Sequence, residues 1–403
     1  MDNACVVWDA AQKSCHHLRV AIVHGGVRAA GEAMAVETAT GERAKTHSKP
    51  KAPSGRLRSL DGLRAISIAM VMLGHLGGTR GLRAVNLQIG DYAHLGVVVF
   101  FVISGFLITT LLMVERSVTG EVSLKLFYAR RSIRIFPAAF AYLAVLAILQ
   151  SAGSVHLKPG DMWHALTYTE NFHRIHSWQV GHLWSLSVEE QFYLLWPFAF
   201  VALGARRSIW APVGVVFLAI GARLFARFFL YGTPYENGEM FPMVADSLAM
   251  GCLLAMLRDR LESMRWYLRL FRPGWSLLLL VVALGLNRYE GYTVVAVFGT
   301  AIINLCLAVL IHRSVYCADD AVGAFLNWRP LMFVGVLSYS LYLWQQLFAN
   351  RSSSAWVNAF PQNLILAICA GVASYYVIEK PLLGLRHRLR VKAGDESLER
   401  PAH

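Results

Sequence analysis

The sequence predicts an all-α integral membrane protein with about ten transmembrane helices and both termini in the cytoplasm. Of its 403 residues, 56% are hydrophobic and 16% are charged, with a mean hydropathy of +0.45, whereas soluble domains carry about 25% charged residues. Ten apolar segments are each about long enough to cross a bilayer. They lie at roughly residues 60–79, 92–114, 136–152, 182–204, 209–230, 239–257, 273–287, 292–312, 331–350 and 360–380.

The orientation follows from the distribution of basic residues between these segments. Loops after even-numbered segments, together with both tails, contain 29 Lys and Arg residues, and loops after odd-numbered segments contain 6. Basic loops stay in the cytoplasm, so the first group is cytoplasmic. We therefore expect a multi-pass protein of the inner or plasma membrane. Residues 1–58 are predicted to form a disordered cytoplasmic tail, residues 59–384 the transmembrane domain, and residues 385–403 a basic cytoplasmic tail.

Composition excludes several classes of function. The net charge is +13, but the basic residues are spread over short segments without basic–aromatic modules, so we expect no nucleic-acid partner. The six cysteines have neither CxxC nor metal-ligand spacing. The longest outer loop, 153–181, is rich in histidine, but the spacing is irregular. We therefore predict no metal and no bound cofactor from His156, His164, His173 and His176.

The first apolar segment carries a cation and an imidazole on one helix face. In SLDGLRAISIAMVMLGH, residues 59–75, Arg64 and His75 are eleven residues apart. At about 100° per residue they lie within about 20° of each other and about 16 Å apart along the helix axis. A charge inside an apolar helix is costly and indicates a functional site. The alternative, a histidine satisfied by packing, is disfavoured by the arginine on the same face.

The fourth segment contains two adjacent carboxylates in GHLWSLSVEEQFYLLWP, residues 181–197. His182 and Glu189 are seven residues apart and nearly on one face, with Glu189 about 10 Å further along the helix, while Glu190 points elsewhere. Carboxylates in an apolar helix need partners. They could orient or charge-stabilise a catalytic imidazole, and His75 is predicted to lie at the right depth for that.

Three further charged residues are candidates for the same polar cluster. Arg223 and Arg227 form an i,i+4 pair in the fifth segment, and they are the alternative, structural partners of the two glutamates. Asp246 lies in the sixth segment. We predict that these three residues are acceptor-side or structural.

An arginine cluster ends the loop that follows the second segment, YARRSIRIFP at residues 128–137. Its members are Arg130, Arg131 and Arg134, and Pro137 is placed in the first turn of the next helix. One interpretation is ordinary positive-inside charge that contacts lipid headgroups. The other is an anion site for a phosphorylated cytosolic cofactor, since guanidinium groups match phosphate geometry.

Two other segments are assigned to packing. In HLGVVVFFVISGFLIT, residues 94–109, small residues permit close helix packing at Gly96, Ser104 and Gly105. In VGVLSYSLYLWQQL, residues 334–347, aromatic residues are interpreted as packing or interface anchors at Tyr339, Tyr342 and Trp344.

Taken together, these motifs resemble the membrane acyltransferase-3 family over about residues 58–384. LDGLRAISIAMVMLGH carries the family's Arg/Lys-x10-His signature at Arg64 and His75. FFVISGFLIT, ARRSIRIFP, HLWSLSVEEQFYLLWP and SYSLYLWQQ match further family segments in the same order. Members of the family include O-acetyltransferases of surface polysaccharides and acyltransferases that act on macrolides and other secreted metabolites.

The resemblance implies an acyltransferase that transfers groups other than aminoacyl groups. Its donor would be cytosolic acyl-CoA, usually acetyl-CoA, and its acceptor a hydroxyl of a carbohydrate or secreted metabolite, as in cell-envelope polysaccharide modification. On that basis Arg64 and the Arg130–Arg134 group hold the CoA end, and His75 acts as general base. Glu189 or Glu190 supports it, and His182 belongs to the same catalytic set. The 16 Å along the first helix is comparable to an extended pantetheine arm.

Two departures from the family pattern and two alternatives remain. Some relatives add an extracytoplasmic SGNH-type domain, and this chain ends about 20 residues after its last segment, so that step is expected to need another protein or to be absent. Relatives often carry an arginine just before the acidic residue of segment six, whereas Asp246 stands in PMVADSLAMG. The alternatives are a transporter or flippase for an anion or lipid-linked sugar, and a non-catalytic scaffold.

Overall fold

The computed structural model describes residues 58–82, 86–233, 239–289 and 293–384, and the side chains of 86–91 are outside that description. The predicted tails, 1–58 and 385–403, lie outside the described residues except for Arg58. The described residues form helices and no strand. In order, the α-helices are α1 Arg58–Leu76, α2 Asn86–Thr119, α3 Leu124–Ser151, α4 Asp161–Leu166, α5 Trp178–Gly181, α6 Leu183–Arg207, α7 Trp210–Phe229, α8 Phe241–Glu262, α9 Arg265–Leu268, α10 Pro273–Arg288, α11 Thr300–Tyr316, α12 Ala321–Leu326, α13 Arg329–Phe348 and α14 Gln362–Ser374.

Short 3₁₀ and π turns connect or extend several helices. The 3₁₀ turns are Glu170–Phe172, Arg269–Phe271 and Trp356–Asn358, and the π turns are Val295–Gly299 and Tyr375–Glu379. The π turn Val295–Gly299 leads directly into α11, and the π turn Tyr375–Glu379 directly follows α14. Each therefore forms one longer apolar element with its neighbouring helix.

The all-α membrane class is confirmed. Within the described residues, eight helices are long and apolar enough to span a membrane, and a ninth span results if α9 and α10, bent by 73°, are counted together. Helix α6 corresponds to the predicted fourth segment and has 25 residues, but Glu189 and Glu190 make it less apolar than those eight. The bend explains why the predicted seventh segment is short.

The third helix begins earlier than the sequence suggests. Helix α3 starts at Leu124, where the Ser123 side chain accepts a hydrogen bond from the backbone N–H of Leu126. The arginine cluster therefore lies inside a helix rather than in a loop, and Pro137 lies inside the helix rather than in its first turn. The prediction was wrong on this point because three arginines lower the local hydropathy of residues that are nevertheless helical.

Close backbone contacts hold α2 against its neighbours. A Cβ at Gly105 would overlap the carbonyl of Leu248 on α8, and one at Gly96 would lie 2.7 Å from the carbonyl oxygen of Ser67 on α1. The predicted packing role of these two glycines is confirmed. Helix α2 separates two apolar cores, and the larger one is formed with α1, α3, α6, α8 and α13.

Candidate active site within the helix bundle

Five helices of the larger core surround a cavity of about 90 Å³. Helices α1, α2, α3, α6 and α13 each contribute side chains to its wall. The apolar part of the wall includes Val97, Phe101 and Leu186. The polar part comprises Arg64, Ser104, Arg131, Arg134, Ser185, Glu189, Tyr193, Ser338, Tyr339 and Tyr342. A cavity of this composition inside an apolar bundle can hold a ligand that carries negative charge.

Three of the four predicted donor-binding arginines meet at this cavity. Arg64 comes from α1, and its Nη1 atom lies 3.8 Å from Oδ1 of Asp61. Arg131 and Arg134 come from α3, where an i,i+3 spacing places them on one face. Three guanidinium groups and one carboxylate, Glu189, therefore face the same space, which favours an anion.

Arg130 is not part of this group. Its Nη2 atom donates to Oε2 of Glu115 at 2.8 Å, and the pair is partly exposed at 27% and 21%. Arg130 is one helical turn from Arg134, so the helical repeat alone does not separate it from the cavity. Its ion pair with Glu115 holds it outside the cavity wall. Of the four arginines predicted to bind the donor, three line the cavity and Arg130 does not.

Glu189 is fixed by two hydroxyl groups. Its Oε1 atom accepts hydrogen bonds from Ser104 on α2 and from Tyr193 one turn further along α6. The Arg131 guanidinium lies over the Tyr193 ring, 4.7 Å from the centroid. The interpretation of Ser104 as a packing residue was incomplete, since its hydroxyl binds the buried carboxylate.

Glu190 does not line the cavity. Its Oε1 atom is buried without a hydrogen-bond partner among the described residues. The two predicted carboxylates are therefore distinct in position, as the helical geometry of α6 requires. Of the two, Glu189 lines the cavity, whereas Glu190 lies outside it but close enough to interact with the charge of Arg131.

His182 lies beyond one end of the cavity, at the start of α6. Its Nε2 atom is 3.1 Å from the carbonyl oxygen of Leu343, so Nε2 carries the hydrogen. Its Nδ1 atom is buried and unpartnered within the described residues. The Tyr342 hydroxyl donates to the His182 carbonyl at 2.8 Å and lies 2.6 Å from the Ser185 hydroxyl. These hydrogen bonds connect the histidine's backbone to the cavity wall.

His75 occupies the far end of α1 from Arg64 and does not line the cavity. Its Nδ1 atom lies 3.0 Å from Oε1 of Gln345 on α13, and its ring meets Trp178 edge-on at 5.9 Å. Arg351 donates to the backbone carbonyls of Gly74 and His75. The continuous helix α1 therefore places the predicted cation and imidazole about 16 Å apart, as the spacing indicated.

Arg223 and Asp246 form a separate, structural pair. Arg223 Nη2 donates to Asp246 Oδ2 at 2.8 Å, and its other nitrogens donate to the carbonyls of Met243 and Val297. The expectation that Asp246 joins the cluster of Glu189 and His75 was wrong. The guanidinium beside this aspartate comes from the neighbouring helix α7.

Arg227 also lies away from the glutamates. Its Nε atom donates to the Thr293 hydroxyl at 3.1 Å, and its guanidinium is 4.6 Å from the Tyr231 ring centroid. Among the described residues, neither arginine of α7 forms an ion pair with Glu189 or Glu190, so the alternative partners predicted for these glutamates are not seen there.

The segment between α3 and α5, which the charge distribution predicts to be an outer loop, forms its own polar cluster. His173 Nε2 is 3.0 Å from Asp161 Oδ1, and the rings of His164 and His173 are stacked at 4.5 Å. In the part of the chain that the structure describes, no three His, Cys, Asp or Glu side chains are placed to share a metal ion. The Glu170 carboxylate is 2% exposed, and burial, with Asp161 and Glu239 nearby, raises its pKa to about 8.

Sequence reasoning missed several cavity residues. Tyr339 and Tyr342 were interpreted as anchors, yet both line the cavity, and Tyr339 donates to the Ile135 carbonyl at 2.6 Å. Trp344 instead packs edge-on against Tyr142. The signal that could have found Tyr193 is its i,i+4 spacing from Glu189 on the same helix.

The fold and the site define an all-helical, multi-pass membrane protein with a polar, arginine-lined cavity. The model of the acyltransferase-3 family, described as an acyltransferase domain, matches residues 57–379. The chain therefore belongs to the acyltransferase-3 family.

The curated relatives are O-acetyltransferases by name. YrhL of Bacillus subtilis (strain 168), provisionally named a peptidoglycan O-acetyltransferase, is 27% identical over 356 residues, which cover 80% of this chain and 54% of the relative. The O-acetyltransferase OatA of Staphylococcus aureus (strain NCTC 8325 / PS 47) is 27% identical over 363 residues, which cover 81% of this chain and 57% of the relative. The chain thus spans a little more than half the length of these relatives. No solved structure matches it.

Proposed function

We propose that this protein is a membrane O-acyltransferase that moves an acyl group, with acetyl as the first candidate, from cytosolic acyl-CoA to a hydroxyl of an envelope carbohydrate or secreted acceptor. Family membership supports acyl transfer. The names of the relatives support O-acetylation. The donor, the acceptor and the residue roles below are proposals.

The observation that carries the proposal is the relation between the cavity and helix α1. Arg64 faces the cavity with Arg131 and Arg134, and these cations suit the phosphate groups that CoA would bring. His75 lies about three turns further along the same rigid helix. An extended thioester arm bound at the arginines would therefore reach toward the imidazole.

The proposed reaction is a single acyl transfer. His75 takes the proton of the acceptor hydroxyl, and the hydroxyl oxygen forms a bond with the acyl carbonyl carbon. The carbon–sulfur bond breaks, and the CoA thiolate leaves and takes up a proton. The products are the O-acyl ester and free CoA, so atoms and charge balance without any other co-reactant.

Glu189 has a supporting role in this scheme. Its carboxylate is held by Ser104 and Tyr193 and partly offsets the charge of the three arginines around the cavity. A buried group of like charges is costly without such an anion. Glu189 would therefore keep the arginine site folded before the donor binds.

The direct test measures transfer of labelled acetyl-CoA in membrane vesicles that contain the protein and native lipids and glycans. We expect wild type to transfer label and His75→Ala to lose transfer at equal expression. His156→Ala is the matched control, because that side chain is exposed in the outer loop, and it should retain transfer. Equal transfer by wild type and His75→Ala would overturn the role of His75.

Absence of transfer is also informative once the donor has been varied. Wild-type vesicles that transfer neither acetyl, propionyl nor butyryl groups to any native acceptor would overturn acyl transfer as the function. CoA release can be followed in the same samples with a thiol reagent, because each transfer liberates one thiol.

A further inference from the structure

The two adjacent glutamines of α13, Gln345 and Gln346, form a hydrogen-bond chain that ends on His75. Both are almost fully buried, at 1% and 4% exposed. Amide oxygen and nitrogen positions are assigned from the hydrogen-bond network, so the chain must be traced from a group whose polarity is unambiguous. The backbone carbonyl of Trp178 is such a group, since it can only accept.

The first step of the chain fixes the orientation of Gln346. Its Nε2 atom lies 2.9 Å from the Trp178 carbonyl oxygen and must be the donor. The Trp178 indole N–H donates in return to the Gln346 carbonyl at 3.0 Å. These two bonds hold the short helix α5 against α13, and they leave the Gln346 Oε1 atom directed toward its neighbour.

The second step fixes the orientation of Gln345. Its Nε2 atom is 3.3 Å from Gln346 Oε1 and 3.5 Å from the Tyr342 carbonyl oxygen, and both of these atoms accept. The amide nitrogen of Gln345 therefore points toward Gln346 and the Tyr342 carbonyl. Its Oε1 atom is left facing His75.

The third step determines the tautomer of the imidazole. Gln345 Oε1 lies 3.0 Å from His75 Nδ1. Because an amide oxygen cannot donate, Nδ1 must carry the hydrogen, and in the neutral ring the lone pair is then on Nε2. The Trp178 ring, edge-on at 5.9 Å, limits rotation of the imidazole.

We propose that Gln345 is a positioning residue that holds His75 as the Nδ1–H tautomer and so presents the Nε2 lone pair for proton abstraction, with Gln346 and Trp178 fixing the orientation of Gln345. This inference rests on the proposed function for its catalytic meaning. The tautomer itself is a property of the folded protein and can be measured without turnover.

The spectroscopic test uses protein labelled with ¹⁵N-histidine in lipid nanodiscs. The His75 signals are identified as those lost in His75→Ala, and nitrogen chemical shifts distinguish N–H from lone-pair nitrogen. Wild type should show a protonated Nδ1, and Gln345→Leu should abolish that preference. A wild-type ring protonated at Nε2 would overturn the inference, and this measurement needs no variant of Gln345.

The kinetic test separates positioning from donor binding. Gln345→Leu should lower kcat by about 100-fold, the range for loss of a correctly held general base, with the KM for acetyl-CoA unchanged. The control, Gln362→Leu, changes an exposed glutamine at the start of α14 and should leave both constants unchanged. An unchanged kcat in Gln345→Leu, or an unchanged tautomer, would overturn the positioning role.

The two tests distinguish this inference from the proposed function. A protein that shows the Nδ1–H tautomer but transfers no acyl group contradicts the function and supports the hydrogen-bond chain. A protein that transfers acyl groups through His75 but has a protonated Nε2 supports the function and contradicts the role of Gln345.

Discussion

The guanidinium of Arg131 lies over the ring of Tyr193, 4.7 Å from its centroid, and the hydroxyl of the same tyrosine donates to Glu189. One side chain thus contacts a cation with its face and a carboxylate with its edge. The contact joins helices α3 and α6 at the cavity. Loss of the ring and loss of the hydroxyl of Tyr193 should therefore have separable effects on acyl transfer.

Replacement of Tyr193 should distinguish these two contacts. Tyr193→Phe keeps the ring under Arg131 but removes a hydrogen bond to a charged group, which is worth about 1.5–3 kcal/mol, so transfer should fall by about tenfold or more. Tyr193→Leu removes both contacts and should lower the transfer rate further. Transfer rates in vesicles measure this, with Tyr128→Phe as control because its hydroxyl donates to the Leu194 carbonyl outside the cavity. Equal activity of wild type and Tyr193→Phe would contradict the role of the hydroxyl.

Adjacent arginines on α3 should differ in their effect on the donor. Arg131→Gln and Arg134→Gln remove cations from the cavity wall, and loss of a charge-assisted contact of about 1.5–3 kcal/mol should raise the KM for acetyl-CoA by about tenfold or more. Arg130→Gln should leave that KM unchanged, because Arg130 pairs with Glu115. A shift of similar size in all three variants would indicate a general charge effect instead of a defined site.

The Arg223–Asp246 pair should stabilise the fold without taking part in transfer. The pair is 9% and 0% exposed, and removal of one partner of a buried ion pair costs about 3–5 kcal/mol. Asp246→Asn and Arg223→Met should therefore lower the thermal midpoint in detergent, while the double variant Arg223→Met with Asp246→Leu should recover much of the loss. The partly exposed pair Arg130–Glu115 supplies the comparison, because loss of a near-surface ion pair is expected to cost about 0–1 kcal/mol. A double variant less stable than both single variants would exclude this explanation.

The outer loop should loosen as pH rises, because of Glu170. Burial, together with Asp161 and Glu239, raises its pKa to about 8 in the folded loop from an ordinary value of 4.5. The folded loop therefore binds the proton more tightly than the open loop does, so its stability is greatest below about pH 4.5 and falls as pH rises to about 8. Above about pH 8, Glu170 is ionised in both the folded and the open loop, so the stability of the loop no longer changes with pH.

Hydrogen exchange of residues 161–181 measures this dependence. Protection should decrease between about pH 5 and pH 8 beyond the intrinsic exchange rate. Glu170→Gln, a neutral side chain of the same shape, should remove that decrease. Glu121→Gln, at an exposed position, should not. Persistence of the full pH dependence in Glu170→Gln would assign the dependence to another group.

The sequence by itself determined the membrane class and the relation of Arg64 to His75. Both depend on local properties, since apolar length predicts a spanning helix and the helical repeat fixes the separation of residues on one segment. The ordered set of motifs also predicted the acyltransferase-3 family, which the match over residues 57–379 confirms.

Only the tertiary structure decided which helix faces meet. It brought Arg131 and Arg134 to Arg64 while directing Arg130 to Glu115, and it paired Asp246 with Arg223 instead of the cavity. It also brought Gln345 to His75, 270 residues away in the chain. These contacts join residues that are distant in sequence, and they depend on the rotation and crossing of packed helices, which the period of a single helix does not specify.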